Sequence, residues 1–287
     1  MTLAPRLLFL ACALFAHPLA HADVVAEWNK TALDTIGRSG AQIEQKLHAM
    51  AMVHVAMFEA LNFVQARYTP RFVVKSGPLQ GVSAQAAAAA AAHHVLTQLH
   101  PEQSVALAAA LARSLRRLGD REAVPSGVVT GTSIASVVCA ASALMPVREE
   151  KDRYASSVRS DATRGRALPK MEGLWLLTTP LSWNPMVAEL IAVKRLSSID
   201  GARIHALVSM VSAYAYVAAR ATGHPCASCI AAAAIAATLE AQFAPAAANS
   251  EPVEDAQELG RQIGAFASRN YFRPLAPPDP RSRRGAG

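Results

Sequence analysis

Residues 41–65 read AQIEQKLHAMAMVHVAMFEALNFVQ. Leu47, Met50, Ala51, His54, Phe58 and Leu61 follow at intervals of 3, 1, 3, 4 and 3, which lays out one broad helical face. Met52, Val55 and Met57 make the far side apolar too, so this helix is expected at the centre of the fold. Upstream, Asp23 is placed to cap a helix of Asp23–Ile36 on which Val25, Trp28, Ala32 and Ile36 recur at helical spacing. Downstream, Tyr68–Val82 holds Pro70, Gly77 and Pro78 and reads as a loop. Ser83 then caps a helix of Ala84–Leu99 rich in alanine, the best helix former and small enough to let a neighbouring helix approach closely.

The pattern continues along the chain. Pro101 opens a helix to about Leu118, GDREAVPSG (119–127) ends it, and Gly127–Leu144 forms the next. Segment 146–183 shows no clear period and reads as a long irregular connection of the kind that is often functional. Asn184 and Pro185 start a helix to about Leu196, and Gly201–Arg220 forms another. Cys226–Phe243 follows, then a loop at 245–252 and a last helix at Val253–Phe272. The expected fold is all-α, a multi-helix bundle of about eight or nine helices in one domain over 23–274, with a disordered basic tail at 275–287.

Composition agrees. Alanine contributes 61 of 287 residues, and 52% of the chain is hydrophobic against 17% charged, which excludes a disordered chain. Only 6% is aromatic, which argues against a large sandwich or barrel. The first 22 residues read as a secretory signal peptide: Arg6, an apolar run from Leu7 to Ala16, and a small-x-small site at Ala20-His21-Ala22. The mature chain is then expected in the periplasm, with no span after cleavage: Ile204–Ala219 and Ile230–Ala248 read as buried helices. The net charge of +7 falls to +6 when Arg6 is removed. Arg281, Arg283 and Arg284 carry half of that without interleaved aromatics, so no nucleic-acid partner is expected. Association into an oligomer is left open.

Three cysteines follow the signal segment. Cys139 reads as a buried apolar thiol. The densest chemistry is His224-Pro225-Cys226-Ala227-Ser228-Cys229 at a helix start, where unpaired N–H groups and the helix dipole suit an anion. Three readings stay open: a structural Cys226–Cys229 disulfide, an oxyanion site, or a metal held by His224, Cys226 and Cys229. His48, His54, His93, His94 and His100 read as satisfied core or surface groups. Glu59 and Glu240, each in an apolar helix, are expected to reach a solvated edge. The chain carries no Gly-rich phosphate loop, no GxSxG elbow and no HExxH helix.

Several blocks resemble a known family. DVVAEWNKTALDTI (23–36), KLHAMAMVHVAMFEALNFVQARYTP (46–70) and SAQAAAAAAAHHVLTQLHPEQSVAL (83–107) are similar to the N-terminal helical region of secreted bacterial proteins of the vanadium-dependent haloperoxidase and type 2 phosphatidic acid phosphatase (PAP2) superfamily. HPCASCIAAAAIAATLEAQF (224–243) and VEDAQELGRQIGAFASRNYFRP (253–274) resemble later blocks, so the similarity touches 23–147 and 203–274. The resemblance implies phosphoric monoester hydrolysis or vanadate-dependent halide peroxidation, with phosphate or vanadate held by a Lys, two Arg and helix-start amides. One His bonds vanadium or attacks phosphorus, and a second is acid or base.

The chain departs from that pattern at all three motifs. The Lys and Arg-Pro stretch is missing between Arg220 and His224. Ser228 stands where the acid/base His belongs, and APAAANSEP (244–252) has neither His nor Arg where an Arg-x-x-His segment is expected. The remnant site is therefore His224 and Ser228 as catalytic positions, with Cys226, Ala227, Ser228 and Arg220 around the oxyanion. Lys194, Arg195 and Arg203 are further cations off the motif. Losing several parts of one catalytic unit removes most of its acceleration, so the expectation is lost or altered activity. The alternatives are an active enzyme with a rearranged site, and a periplasmic binding or interaction module with a structural CxxC.

Overall fold

The computed structural model of the protein describes residues 23–73, 77–119, 121–143, 180–221, 223–224, 226–243, 261, 264–265 and 267–275. The signal segment, most of the 146–183 connection, the 245–252 loop, the first part of the last helix and the tail from 276 lie outside the described residues.

What is described is an all-α bundle. Its helices are α1 (Val24–Arg38), α2 (Ile43–Gln65), α3 (Ala84–Leu99), α4 (Ser104–Arg116), α5 (Ala123–Ala143), α6 (Trp183–Val193), α7 (Ser198–Ala221) and α8 (Ala227–Phe243). Residues 264–265 and 267–270 are also helical and pack on α8. Local chemistry starts several of these helices where the sequence places them. Asp23 accepts from the amide of Val25 at 3.1 Å, and Ser83 from that of Ala86 at 3.2 Å. Gln42 and Gln45 cap α2 reciprocally.

Several boundaries differ from the sequence expectation, three of them with a clear local cause. Helix α5 begins at Ala123 rather than Gly127. Pro125 falls in its first turn, where a missing N–H costs nothing because the first amides have no intrahelical acceptor. Pro101 opens a 3₁₀ turn (Pro101–Gln103) ahead of α4. Helix α6 stops at Val193 rather than Leu196. Arg195 turns left-handed (φ 50°), and the amides of Arg195 and Leu196 close on the carbonyls of Ala192 and Ile191.

Helix α2 is the axis, packed by α1, α3, α5 and α7. Phe58 is fully buried between the rings of Tyr68 and Phe272, 5.9 and 4.3 Å away. The alanine run Ala86–Ala92 is wholly buried, and it permits a close α3–α5 crossing. A Cβ on Gly131 would sit 2.0 Å from the Ala87 carbonyl oxygen, and one on Gly127 2.5 Å from that of Ser83. The loop after α2 is tied to residues 273–275: Tyr68 bridges Pro274, the Thr69 amide donates to the Arg273 carbonyl, and the Leu275 amide donates to the Arg67 carbonyl.

Helices α2 and α7 and the Ala123–Ala141 part of α5 are each long and apolar enough to cross a membrane by length and composition. Other helices sheathe α2 and α7. Helix α5 carries no charged residue and leaves Val129 and Val137 exposed on one side.

Candidate functional site

The helix start marked by the sequence is assembled from the end of α7 and the beginning of α8. Cys226 and Cys229 are joined in a disulfide, which occupies both thiols and leaves neither to ligate a metal. Among the described residues no group of three His, Cys, Asp or Glu side chains is placed to hold one. His224 turns onto its own backbone: its Nδ1 accepts from the amide of Cys226 at 3.1 Å. Burial holds its pKa below the usual imidazole range, against an opposing contribution from the Cys226 backbone. The Cys229 amide is directed at the Cys226 sulfur, 3.3 Å away. Two of the donors that would face an anion are thus turned to local acceptors. Ala227 and Ser228 are half-buried.

The cations do not converge there. Arg220 lies one residue before the end of α7, largely exposed, with Nε 3.4 Å from Glu44 Oε1. Lys194 and Arg195 precede the other end of that 24-residue helix, ~36 Å away at 1.5 Å per residue. Arg203 also belongs to that far end, where it donates to the Phe272 carbonyl at 2.8 Å and to Gln242 Oε1 at 2.7 Å. A tetrahedral oxyanion needs several cations around one point. Of the four cations marked by the sequence, Arg220 alone lies at the α7 end that leads into the α8 start, so these four do not supply the converging charge that vanadate needs.

A second constellation, which the sequence reading passed over, lies in the core. On α7, His205, Ser209 and Ser212 fall at spacings of 4 and 3. On α2, Leu47, Met50 and His54 fall at 3 and 4. The two faces meet, and α1 adds Asn29. Asn29 Oδ1 can only accept, so His54 Nε2–H donates to it at 3.0 Å. That fixes the tautomer and leaves the Nδ1 lone pair to accept from Ser209 Oγ–H at 2.6 Å. His205 stacks on His54 with ring centroids 4.7 Å apart. Burial drives His54 well below the usual imidazole range, helped by the charge His205 would carry, and burial alone takes His205 down to about 4. Both rings are neutral at pH 7.

In an open cleft, Ser–His–Asn in this order would activate a serine oxygen. Here Ser209 is only 6% exposed, and the partly open pocket beside it has room for little more than a water. The arrangement serves as a polar fastening between three helices.

Two further ionisable groups brace the loop after α2. Glu59 is 1% exposed rather than at a solvated edge. Its Oε1 accepts from the Arg71 amide at 2.7 Å, and the amides of Phe72 and Val73 face it too. Burial outweighs these donors and the Arg71 charge and pushes the carboxyl up to about 7. Glu240, by contrast, is exposed. Asp200 receives the Tyr68 hydroxyl and pairs with Arg67 at 3.2 Å. Burial pulls its pKa upward, but the hydroxyls of Ser197 and Tyr68 and the Arg67 charge hold it below the usual range.

Among the described residues, the other histidines have partners of their own or titrate apart from these groups. His93 contacts Thr97, His94 contacts Ser136, and His100 faces Glu102. Burial lowers the pKa of His48. Set against family models, curated proteins and solved structures, the chain matches none of them.

Proposed function

We propose that this chain is an exported, periplasmic helical protein on the haloperoxidase/PAP2-like scaffold. Its oxyanion chemistry has been lost, and what remains is a binding or interaction module with a structural CxxC. One observation carries the reading: the cations a phosphate or vanadate would need lie at opposite ends of α7, with Arg203 and Arg220 both engaged to other groups. The closed disulfide and the inward turn of His224 support it from the α8 side.

The test is catalytic. Purified mature chain is assayed for phosphate-ester hydrolysis and, with orthovanadate, hydrogen peroxide and halide, for halide oxidation. The reading expects neither rate to exceed the protein-free control. Turnover that scales with protein and falls in Ser228→Ala would favour an active, rearranged site instead.

A further inference from the structure

Helix α6 seats on the core beside a small, partly open pocket bordered by Leu47 and Met50 of α2, Asn184 of α6, Val208, Ser209 and Ser212 of α7, and Leu181. A water molecule's centre has about 10 Å³ of room in it, close to the least volume that holds one. Asn184 is 6% and Ser212 3% exposed, and Asn184 Oδ1 and Ser212 Oγ are both buried with no protein partner. Two such atoms in one dry cavity would each cost folding free energy, since their hydrogen bonds to water are lost and not replaced. The third polar wall is already half committed: Ser209 spends its proton on His54 and presents only lone pairs to the cavity.

These walls define their occupant. It must donate to Asn184 Oδ1, donate to a lone pair of Ser209, and accept the Ser212 proton. A fully deprotonated anion has no proton to donate, and a protonated oxyanion such as hydrogen phosphate exceeds the space. An alcohol has one such proton, and its carbon exceeds the space. A metal cation would meet three neutral oxygens and no carboxylate, too little to replace its hydration. Water has two donors, two acceptors and the right size.

We propose that this cavity is a specific site for a single water. The water continues the chain Asn29–His54–Ser209 to Ser212 and Asn184, so that α6 is fastened to the bundle through it. Four helices then share one hydrogen-bonded line, and every buried polar atom named in it has a partner.

The test uses the whole mature chain. A crystal structure refined with solvent should place one ordered water within hydrogen-bond distance of both Asn184 Oδ1 and Ser212 Oγ. An empty cavity, or an Asn184 side chain bonded straight to Ser212, overturns the proposal. Stability gives an independent reading whose sign decides. If the water is there, Ser212→Ala removes one of its partners and lowers the folding equilibrium constant by about tenfold. If the cavity is dry, the same change deletes an unpaired hydroxyl and leaves the constant unchanged or larger. Asn184→Leu, which fills the space, should remove most of the Ser212→Ala effect if both residues act through the same water. Full additivity of the two changes would count against it.

Discussion

Ser209 Oγ lies 2.6 Å from His54 Nδ1, joining α7 to α2 across 155 positions of sequence. The bond is buried in the core, and Asn29 of α1 orients the imidazole from its other nitrogen at 3.0 Å. Removing either partner leaves a buried ring nitrogen bare. Ser209→Ala and Asn29→Ala should each lower stability by about 1–3 kcal/mol in denaturant melts. The double variant should lose less than the sum, because both changes act on one ring. Strict additivity would mean that His54 is not the shared element.

Acid should act on this core through two opposed sets of groups. His205 titrates near 4 in the folded chain and near 6.5 unfolded, so its neutral form contributes stability that is complete above 6.5 and is lost as pH falls toward 4. His54 acts in the same direction. Glu59 does the reverse. With its pKa raised from 4.5 to about 7, its contribution is complete below 4.5 and is lost as pH rises to 7. Each of His205 and Glu59 corresponds to about 3 kcal/mol across its window. Glu59→Gln removes one opposing titration. The stability-versus-pH slope between 4.5 and 7 should then rise by up to about 1.4 kcal/mol per pH unit, the value for one proton. An unchanged slope would show that Glu59 does not titrate in that range.

The α3–α5 crossing should be intolerant of a single methyl. At Gly131 a Cβ would overlap the Ala87 carbonyl at 2.0 Å, and that oxygen belongs to a helix backbone that cannot turn aside. Gly131→Ala should cost about 1–3 kcal/mol or more. At Gly37 nothing lies within 4 Å of such an atom, so Gly37→Ala is the matched control and should not destabilise. Thermal melts of the two variants check the contrast.

The CxxC at the head of α8 should matter to stability. A four-residue loop gives an entropic contribution of about 2 kcal/mol, so reduction, or Cys226→Ala with Cys229→Ala, should lower stability by about that much. Ser228→Ala should leave the melt unchanged. A Ser228 variant that altered both stability and ligand binding would point back to a working site.

Much of the architecture was legible because helix signals are local. Asp23 and Ser83 cap where they stand, and the 3-and-4 spacing of α2 marks a central helix. The start of α5 was misplaced because Pro125 reads as a terminator unless it is known to occupy a first turn. The polar core was invisible for a different reason: Asn29, His54 and Ser209 come from three helices, and each looks like an isolated polar residue in an apolar run. The period of His205, Ser209 and Ser212 was the available clue. Glu59 was misjudged because its partners are amides of a loop held in place by the bridge from Tyr68 to Pro274, near the other end of the chain.

The central claim is the proposal that the α8 helix start does not bind a tetrahedral oxyanion. Calorimetric titration of orthovanadate, and separately of inorganic phosphate, into the full mature chain tests it most directly. The account predicts no saturable heat with either ion. One-to-one binding that disappears in Arg220→Ala or Ser228→Ala would contradict it.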